Sequence, residues 1–451
     1  MSTMTTTDLR AAFAHRLSTL YGREVPAYTT LLEVSGEVNQ RALRRDPARA
    51  ERLGSIDRVT AERHGAIRVG TPTELAQVAR IFAAMGMYPT GFYDLRDAYP
   101  DPIPVVSTAF RPRSREELAV NPFRVFTSLL ATGDRRFFDA DLERRLKTFL
   151  ASRRLFGEEL LALADRAGAE GGLAEPAAGR FLELAVGSFA LSAEPVDRAW
   201  YRELEAVSSV AADIGGVRST HINHLTPRVL DIDDLYRSMT ARGIEMIDAI
   251  QGPPAWDGPD VLLRQTSFRA LAEPRRFLEA DGSIGSGSLR VRFGEVEARG
   301  IALTPAGRTR YDEVTAAVDG SSEPAAQVWN RMLPTEEAAW REQDLAFFHY
   351  DVAPGTPASG RTEARLEDLL RLGLVSATPI VYEDFLPRSA AGIFSSNLTG
   401  TGEVDRSQDE AGLDAGWLSD VVGADIAAPE DLYGAEQDRS LDAVRRHLGL
   451  A

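Results

Sequence analysis

Two stretches with the texture of β-strands, one on each side of a long helical stretch, most constrain how this chain folds. From about residue 60 to 130, short apolar runs are bounded by Gly and Pro, as in strands that alternate with short helices. Residues 135–212 carry long patterns rich in Ala, Leu, Glu and Arg, which are typical of helices. Strand texture resumes from Thr220 to Leu303. We therefore expect two half-sheets, separated in sequence, to meet in space.

The two ends of the chain also carry helical patterns. Apolar residues in 8–53 recur at helical spacing, and residues beyond 310 mix amphipathic helices with one apolar segment and a final helix. The sequence thus predicts an α+β fold: a central mixed β-sheet with a helical insertion and helical N- and C-terminal elements. The expected parts, together one large compact domain, are an N-terminal helical cap (1–57), a first half-sheet (58–132), the insertion (133–212), a second half-sheet (213–310) and a C-terminal mixed region that completes the active site (311–451).

The composition is that of a globular protein, with 44% hydrophobic and 26% charged residues among 451. Acidic residues outnumber basic ones by 67 to 51, and the resulting charge of −16 repels nucleic acid and anionic membranes. No apolar run approaches the roughly 20 residues of a spanning helix. We therefore expect no nucleic-acid or membrane partner, and a cytoplasmic location.

The chain has no cysteine. This excludes disulfides, thiol nucleophiles, Fe–S clusters and cysteine-bound zinc. Any metal must therefore be bound by His, Asp and Glu, and the candidate histidines are His15, His64, His221, His224, His349 and His447.

The segment SLRVRFGEVEARG has the alternation of a strand. Leu289, Val291, Phe293, Glu295 and Glu297 share one face, so that two carboxylates end an otherwise apolar row. A carboxylate facing a core costs several kcal/mol unless it is paired or binds a metal. A salt bridge to an arginine and a metal site both explain this pattern.

The segment THINHLTPR holds two histidines three residues apart. Pro227 argues against a helix here, and in an extended segment this spacing sends His221 and His224 to opposite faces. Only one of them can serve a given site, and a hydrogen-bonded structural imidazole is an equal alternative for either.

The segment ERHGAIRVGT places His64, Ala66 and Arg68 on one face of a strand. Four strand residues span roughly 13 Å. A metal at His64 and the guanidinium of Arg68 would therefore be separated by about the length of a small dicarboxylic acid.

Two histidines and one carboxylate form the facial arrangement that leaves three coordination positions open on non-haem iron. Those positions suffice for a bidentate 2-oxo acid and dioxygen together. The SIGSGS stretch at 283–288 lacks the lysine of a phosphate-binding loop and a GxGxxG frame, so we interpret it as a flexible hairpin loop without function.

Several long motifs resemble one known family. The chain resembles the 2-oxoadipate dioxygenase/decarboxylase family, also called 2-hydroxyglutarate synthases, which is distantly related to the vicinal oxygen chelate superfamily. The resemblance covers nearly the whole chain and rests on YGREVPAYTTLLE, ERHGAIRVGT, STAFR, NPFRVFTSLL, HINHLTPRVLDID, LLRQTSF, RFGEVEARGIALTPAGR and YEDFLPRSAAGIFSSNL.

The resemblance implies which residues form the site. It selects His224 over His221 and Glu295 over Glu297, which the residue pattern left open, and implies that His64, His224 and Glu295 bind Fe(II). It also implies that Arg68 pairs with a substrate carboxylate. The implied substrate contacts are His64, His224, Arg68, Arg388 and Ser389, with Arg388 standing where the family usually has Val. The implied fold is a sheet wrapped around the metal.

The implied activity is conversion of 2-oxoadipate and dioxygen into 2-hydroxyglutarate and CO2, in lysine degradation. Two other classes fit the same residues. A two-His-one-Glu zinc hydrolase uses these ligand types, although HExxH is absent from the sequence, and a non-catalytic acidic ligand-binding protein needs no metal. The sequence leaves the oligomeric state open.

Overall fold

The structure is a computed structural model that describes residues 3–98, 102–270, 272–290, 292–356, 365–386, 408 and 410–449. The strands are β1 Thr3–Thr5, β2 Arg63–Val69, β3 Tyr88–Asp94, β4 Val105–Arg111, β5 Arg124–Leu130, β6 Gly172–Ala174, β7 Val196–Asp197, β8 His224–Pro227, β9 Leu263–Phe268, β10 Glu273–Leu278, β11 Ile284–Leu289, β12 Gly294–Arg299, β13 Phe348–Val352 and β14 Val375–Pro379.

Helices cover both ends of the chain and the stretch between the half-sheets. They are α1 Thr6–Glu24, α2 Pro26–Arg45, α3 Pro47–Ala50, α4 Ile56–Ala61, α5 Pro72–Ala83, α6 Arg115–Val120, α7 Ala140–Ala151, α8 Glu158–Glu170, α9 Ala177–Gly187, α10 Arg198–Val207, α11 Ser209–Gly215, α12 Ile232–Ala241, α13 Pro305–Asp319, α14 Ala325–Met332, α15 Glu337–Glu342, α16 Leu366–Arg371, α17 Ala415–Val422 and α18 Pro429–Leu448. Among the described residues, none of these helices combines the length and the apolar character needed to cross a bilayer.

A five-stranded mixed sheet, in the order β3-β4-β5-β2-β8, forms the centre of the fold. Strand β2 is parallel to β5 and antiparallel to β8. The β2–β8 pairing sets His64 opposite Thr226 and Ala66 opposite His224. The two half-sheets therefore meet as predicted, with the helical stretch between them in sequence.

A second antiparallel pair, β9 and β12, continues the sheet beyond β8. Arg228 and Glu297 form a parallel bridge, and the amide of Val229 donates to the carbonyl of Glu297 at 2.8 Å. Strand β12 therefore runs beside the extension of β8. The strands that carry His64, His224 and Glu295 become neighbours.

The two faces of the central sheet bury different residues, because successive strand side chains point to opposite sides. Ile67 and Val69 pack into an apolar cluster with helices α1, α2, α5, α8 and α9. Ala66 belongs to a second cluster on the other face, with residues of α7, α10 and α11. His64 and Arg68 share the parity of Ala66. They lie on the face away from the N-terminal helices.

The N-terminal helices begin at strong local signals. Thr5 and Asp8 form a capping box at the start of α1, and Pro26 occupies the first turn of α2. Phe13 and Tyr28 from these helices are fully buried against the sheet. The helical pattern predicted for residues 8–53 is thus present.

The prediction of one continuous strand through SLRVRFGEVEARG is wrong. Strand β11 ends at Leu289 and β12 begins at Gly294, and the two belong to different sheets. Only Glu295 and Glu297 share a strand face as expected. An alternating pattern carries across a break between strands because sequence parity does not record where the backbone turns.

The SIGSGS stretch at 283–288 was predicted as a loop, and this is also wrong. Most of it lies in β11, which pairs antiparallel with β10. Glycine disfavours strands in general, but here close packing requires it. A Cβ on Gly287 would lie 2.7 Å from the ring of Phe277.

Two short strands lie within the stretch predicted to be wholly helical. Gly172–Ala174 pairs with β1, and Val196–Asp197 pairs with β10. Segments of two or three residues are too short to show a period of two. Tertiary pairing, not a local pattern, makes them strands.

Candidate metal and substrate site

Three side chains from three neighbouring strands converge on the face of the sheet away from the N-terminal helices. His64 lies on β2, His224 on β8 and Glu295 on β12, and all three are buried. One donor atom from each lies within 4.8 Å of the others. The Nε2 atoms of His64 and His224 are 3.5 and 3.6 Å from the two carboxylate oxygens of Glu295. This group of three is called the HHE cluster below.

In both imidazoles of the HHE cluster, the Nδ1 atom lies next to an oxygen of a neighbouring side chain. His64 Nδ1 lies 2.9 Å from Glu297 Oε2, and His224 Nδ1 lies 3.0 Å from Thr226 Oγ1. A metal-binding histidine typically has its other ring nitrogen fixed in this way, which sets the tautomer and ring orientation. The residues therefore fit a metal bound by two Nε2 atoms and one carboxylate.

Electrostatics distinguish the two histidines. Burial, and next the neighbouring His64, hold the pKa of His224 well below its ordinary value, so that His224 is neutral, as a metal ligand must be. Burial alone would also lower the pKa of His64, but Glu297 and Glu295 outweigh it and raise the pKa. Nearby carboxylates thus raise the pKa of His64 more than burial lowers it, whereas burial has the larger effect on the pKa of His224.

Glu297 stays ionised although it is fully buried. Burial would raise its pKa, but Arg299, His64 and Arg124 lower the pKa to about 2. Arg299 donates to both carboxylate oxygens, at 2.6 and 3.0 Å. An ionised carboxylate therefore lies next to Nδ1 of His64.

A buried network of charges continues from there. Arg124 Nη2 donates to Glu62 at 2.5 Å and to Glu383 at 2.7 Å, and Arg228 donates to Glu62 at 3.0 Å. Our sequence reasoning missed this network. Its signal was an arginine inside the apolar run RVFTSLL, where an unpaired charge would be very costly.

His221, the first histidine of HINH, lies outside the HHE cluster. Its Nε2 is 3.1 Å from Asn223 Nδ2 and 3.5 Å from Asp213 Oδ1. Burial and nearby arginines lower the pKa of His221 to about 4. The structure thus places the two histidines of this motif in different surroundings.

Arg68 lies on the same face of β2 as His64. It is buried, and its Nη1 donates to Asp213 Oδ2, a carboxylate of helix α11. Burial would raise the pKa of Asp213, but His221 and Arg68 lower it. A buried guanidinium is thus held on the HHE side of the sheet by a carboxylate of helix α11.

Aromatic rings line the other side of the HHE cluster. Phe385 lies 5.0 Å from the ring of His64 and 5.1 Å from Phe126, between ring centroids, and Phe293 stacks on His224 at 5.3 Å. Such rings exclude water from the donors. The predicted contacts Arg388 and Ser389 lie outside the described residues.

Tyr21 joins the N-terminal helix α1 to the site. Its hydroxyl lies 3.1 Å from the carbonyl of Asn223 and 2.9 Å from that of Phe293. These residues precede His224 by one position and Glu295 by two. Burial raises the pKa of Tyr21, so the phenol stays protonated and donates. Tyr21 therefore ties together the two segments that carry these side chains, a role that apolar periodicity did not indicate.

Replacing Tyr21 with Phe is expected to lower the free energy of unfolding by about 1–3 kcal/mol, because the one hydroxyl proton shared by two buried carbonyls is lost. Chemical denaturation measures this. Tyr28→Phe is the matched control, since among the described residues its hydroxyl has a single hydrogen-bond partner, the hydroxyl of Ser18 at 2.8 Å. A Tyr21→Phe protein as stable as the control would contradict the proposed tie.

Taken together, the fold and the HHE cluster define an α+β protein with a candidate two-histidine, one-carboxylate metal centre on the face of its sheet away from the N-terminal helices. A buried guanidinium on the same side adds a feature of anion-binding sites.

Comparisons with known proteins identify the family. The model of the 2-oxoadipate dioxygenase/decarboxylase family matches residues 13–397, so the chain belongs to that family. Relatives named 2-oxoadipate dioxygenase/decarboxylase include one from Mycobacterium tuberculosis, 58% identical over 95% of this chain and 96% of the relative, and one from Pseudomonas putida, 40% identical over 98% and 97%. The crystal structure of the Pseudomonas putida hydroxyglutarate synthase in complex with 2-oxoadipate covers 100% of both chains, with 37% identity and a TM-score of 0.85. The resemblance and the fold class inferred from the sequence are confirmed.

Proposed function

We propose that this protein is an Fe(II)-dependent dioxygenase and decarboxylase that converts 2-oxoadipate and dioxygen into 2-hydroxyglutarate and CO2. The atoms balance: one carbon leaves as CO2, and both oxygen atoms of dioxygen enter the organic product. Its full-length relatives carry the name of this activity. The single observation that carries the proposal is the HHE cluster with a buried guanidinium on the same strand face.

The HHE cluster would hold the iron through the Nε2 atoms of His64 and His224 and a carboxylate oxygen of Glu295. When bound, Fe(II) supplies open coordination positions and the electrons that activate dioxygen. The donors are two imidazoles and one carboxylate, without thiolates, which suits a redox-active iron.

The chain's own residues bind and orient the substrate. Arg68 would pair with the distal carboxylate of 2-oxoadipate through charge-assisted hydrogen bonds, leaving the oxo acid end at the HHE cluster, against His64 and His224. Fixing both ends of the substrate turns an encounter into a defined geometry. We also propose Arg388 and Ser389 as substrate contacts.

The surroundings exclude water. Phe385 packs against His64 and is backed by Phe126, and Phe293 stacks on His224. Exclusion of water prevents side reactions such as hydrolysis during turnover. A cytoplasmic location and a place in lysine degradation stay predictions.

Glu297→Gln is expected to weaken metal binding by roughly 10- to 100-fold, the usual effect of losing an outer partner of a metal-bound histidine. Anaerobic titration of the metal-free protein with Fe(II) measures this. Glu62→Gln is the control, because Glu62 pairs with buried arginines of the same network without contacting His64. Equal affinities in both variants would mean that Glu297 acts only through stability.

Oxygen uptake by the Fe(II)-reconstituted protein tests the proposed function. With 2-oxoadipate we expect one molecule of dioxygen consumed per molecule of substrate, and 2-hydroxyglutarate identified by mass spectrometry. Zinc-loaded and anaerobic samples are the controls. Turnover in either control would favour a hydrolase. No uptake with any 2-oxo acid, together with unchanged stability on metal removal, would favour a binding protein.

A further inference from the structure

The guanidinium that binds the distal carboxylate must lie at a fixed distance from the HHE cluster if the site is to distinguish acids by length. Arg68 is separated from His64 by four strand residues, or roughly 13 Å. An arginine side chain has many rotamers, and on its own its guanidinium would adapt to shorter and longer acids. A contact that fixes the guanidinium therefore bears directly on selectivity.

Asp213 makes such a contact. Its Oδ2 accepts from Arg68 Nη1 and also from Asn223 Nδ2, the latter at 2.9 Å. Only 5% of Asp213 and 4% of Arg68 is exposed, so solvent competes weakly for either partner. The carboxylate also belongs to helix α11, which packs on the sheet from the insertion. The guanidinium is thus tied to an element outside its own strand.

The position of Asp213 is set by the segment that carries a metal ligand. Asn223 donates to Asp213 and, through the second hydrogen of its amide, to His221 Nε2 at 3.1 Å. The backbone amide of Asn223 also donates to the carbonyl of Ala66 at 2.9 Å. At the other end of the segment, the Thr220 hydroxyl donates to the carbonyl of Arg68 at 2.8 Å.

Residues 220–224 therefore connect both ends of the substrate site. His224 reaches the HHE cluster, and Asn223 with His221 reaches the carboxylate that holds the anchor. This gives a physical reason for two histidines in HINH. The second belongs to the metal end, and the first supports the anchor end.

We infer that Asp213 is a positioning residue that sets the chain length of the 2-oxo diacid accepted by the site, by fixing the guanidinium of Arg68 relative to the HHE cluster. The inference rests on the proposed function. A shorter acid would fall short of the fixed guanidinium. A longer acid would push its carboxylate toward that of Asp213, and like charges at close range repel.

The test compares three acids that differ by one methylene each: 2-oxoglutarate, 2-oxoadipate and 2-oxopimelate. The Fe(II)-loaded protein, Asp213→Asn and the control Asp165→Asn are assayed for kcat/KM, and for Kd by anaerobic calorimetry. Asp165 also pairs with an arginine, Arg80, but on the surface. One methylene is typically worth roughly 10- to 200-fold in kcat/KM. We expect Asp213→Asn to reduce the preference for 2-oxoadipate over both neighbours at least about 10-fold, and the control to retain it.

A second variant keeps the test decisive if Asp213→Asn does not fold. Asp213→Glu preserves the charge and the pair but moves the guanidinium by one methylene, which should shift the preference toward 2-oxoglutarate. An equal loss for all three acids, in kcat/KM and in Kd, would overturn the inference and leave Asp213 a purely structural role. Failure of the wild-type protein to consume oxygen with any of the acids would instead overturn the proposed function.

Discussion

Glu295→Gln is expected to remove bound iron and abolish turnover. The substitution keeps the shape of the side chain but deletes the charge that lies 3.5 and 3.6 Å from the two imidazoles. A divalent ion would then face two neutral rings and an amide in a buried site. Loss of a direct ligand should weaken metal binding by more than the roughly 10- to 100-fold that an outer partner costs. Metal analysis after anaerobic loading, combined with oxygen uptake, measures both effects.

Folding must be separated from metal binding in this experiment. Burial raises the pKa of Glu295, so a neutral amide fits the metal-free pocket without a new unpaired charge. The circular dichroism of Glu295→Gln should therefore match that of the metal-free wild type. His15→Ala, an exposed histidine on α1, is the control and should bind one equivalent. Full metal content and activity in Glu295→Gln would show that the ligand assignment is wrong.

Arg68→Met is expected to cost substrate binding more than any other change outside the HHE cluster. Truncating one partner of a buried charge pair costs about 2–5 kcal/mol, which corresponds to a roughly 30- to 5,000-fold fall in kcat/KM. Methionine preserves much of the volume but offers no donor to a carboxylate. Iron content should remain that of the wild type, since Arg68 lies at the other end of the site.

The same substitution leaves Asp213 buried without its guanidinium, which is expected to destabilise the protein by about 3–5 kcal/mol. The double variant Arg68→Met/Asp213→Asn removes both charges and should recover most of that stability. It should not recover kcat/KM for 2-oxoadipate. Recovery of activity together with stability would mean that Arg68 acts in folding and not in substrate binding.

The fold could be predicted from the sequence where the local patterns were long. Strands β2 to β5 with their short helices follow from apolar runs bounded by Gly and Pro, and the N-terminal helices follow from periodicity and capping. The strand β11 did not follow, because its serines and glycines are typical of loops. Pairing with a partner strand decided its conformation, and such pairing is not a local property.

The residues of the site could be predicted only in two steps. Parity alone narrowed the carboxylate to Glu295 or Glu297 and the histidine to His221 or His224, and resemblance to the family then chose. In the structure the two residues that were not chosen make contacts that support the site. Glu297 contacts Nδ1 of His64, and His221 accepts a hydrogen bond from Asn223. Their roles depend on contacts between distant segments. No spacing along the chain encodes those contacts.

The order of the HHE residues along the chain also limits when the protein could bind the proposed iron. His64 is made about 230 residues before Glu295. At the usual rate of roughly 5–20 residues per second, ribosomes need about 10–50 s to translate that interval. A nascent chain therefore carries His64 without His224 and Glu295 while roughly a third of its residues are being made. If the proposed iron needs all three ligands, it can bind only after Glu295 has been made, either late in synthesis or to the finished fold.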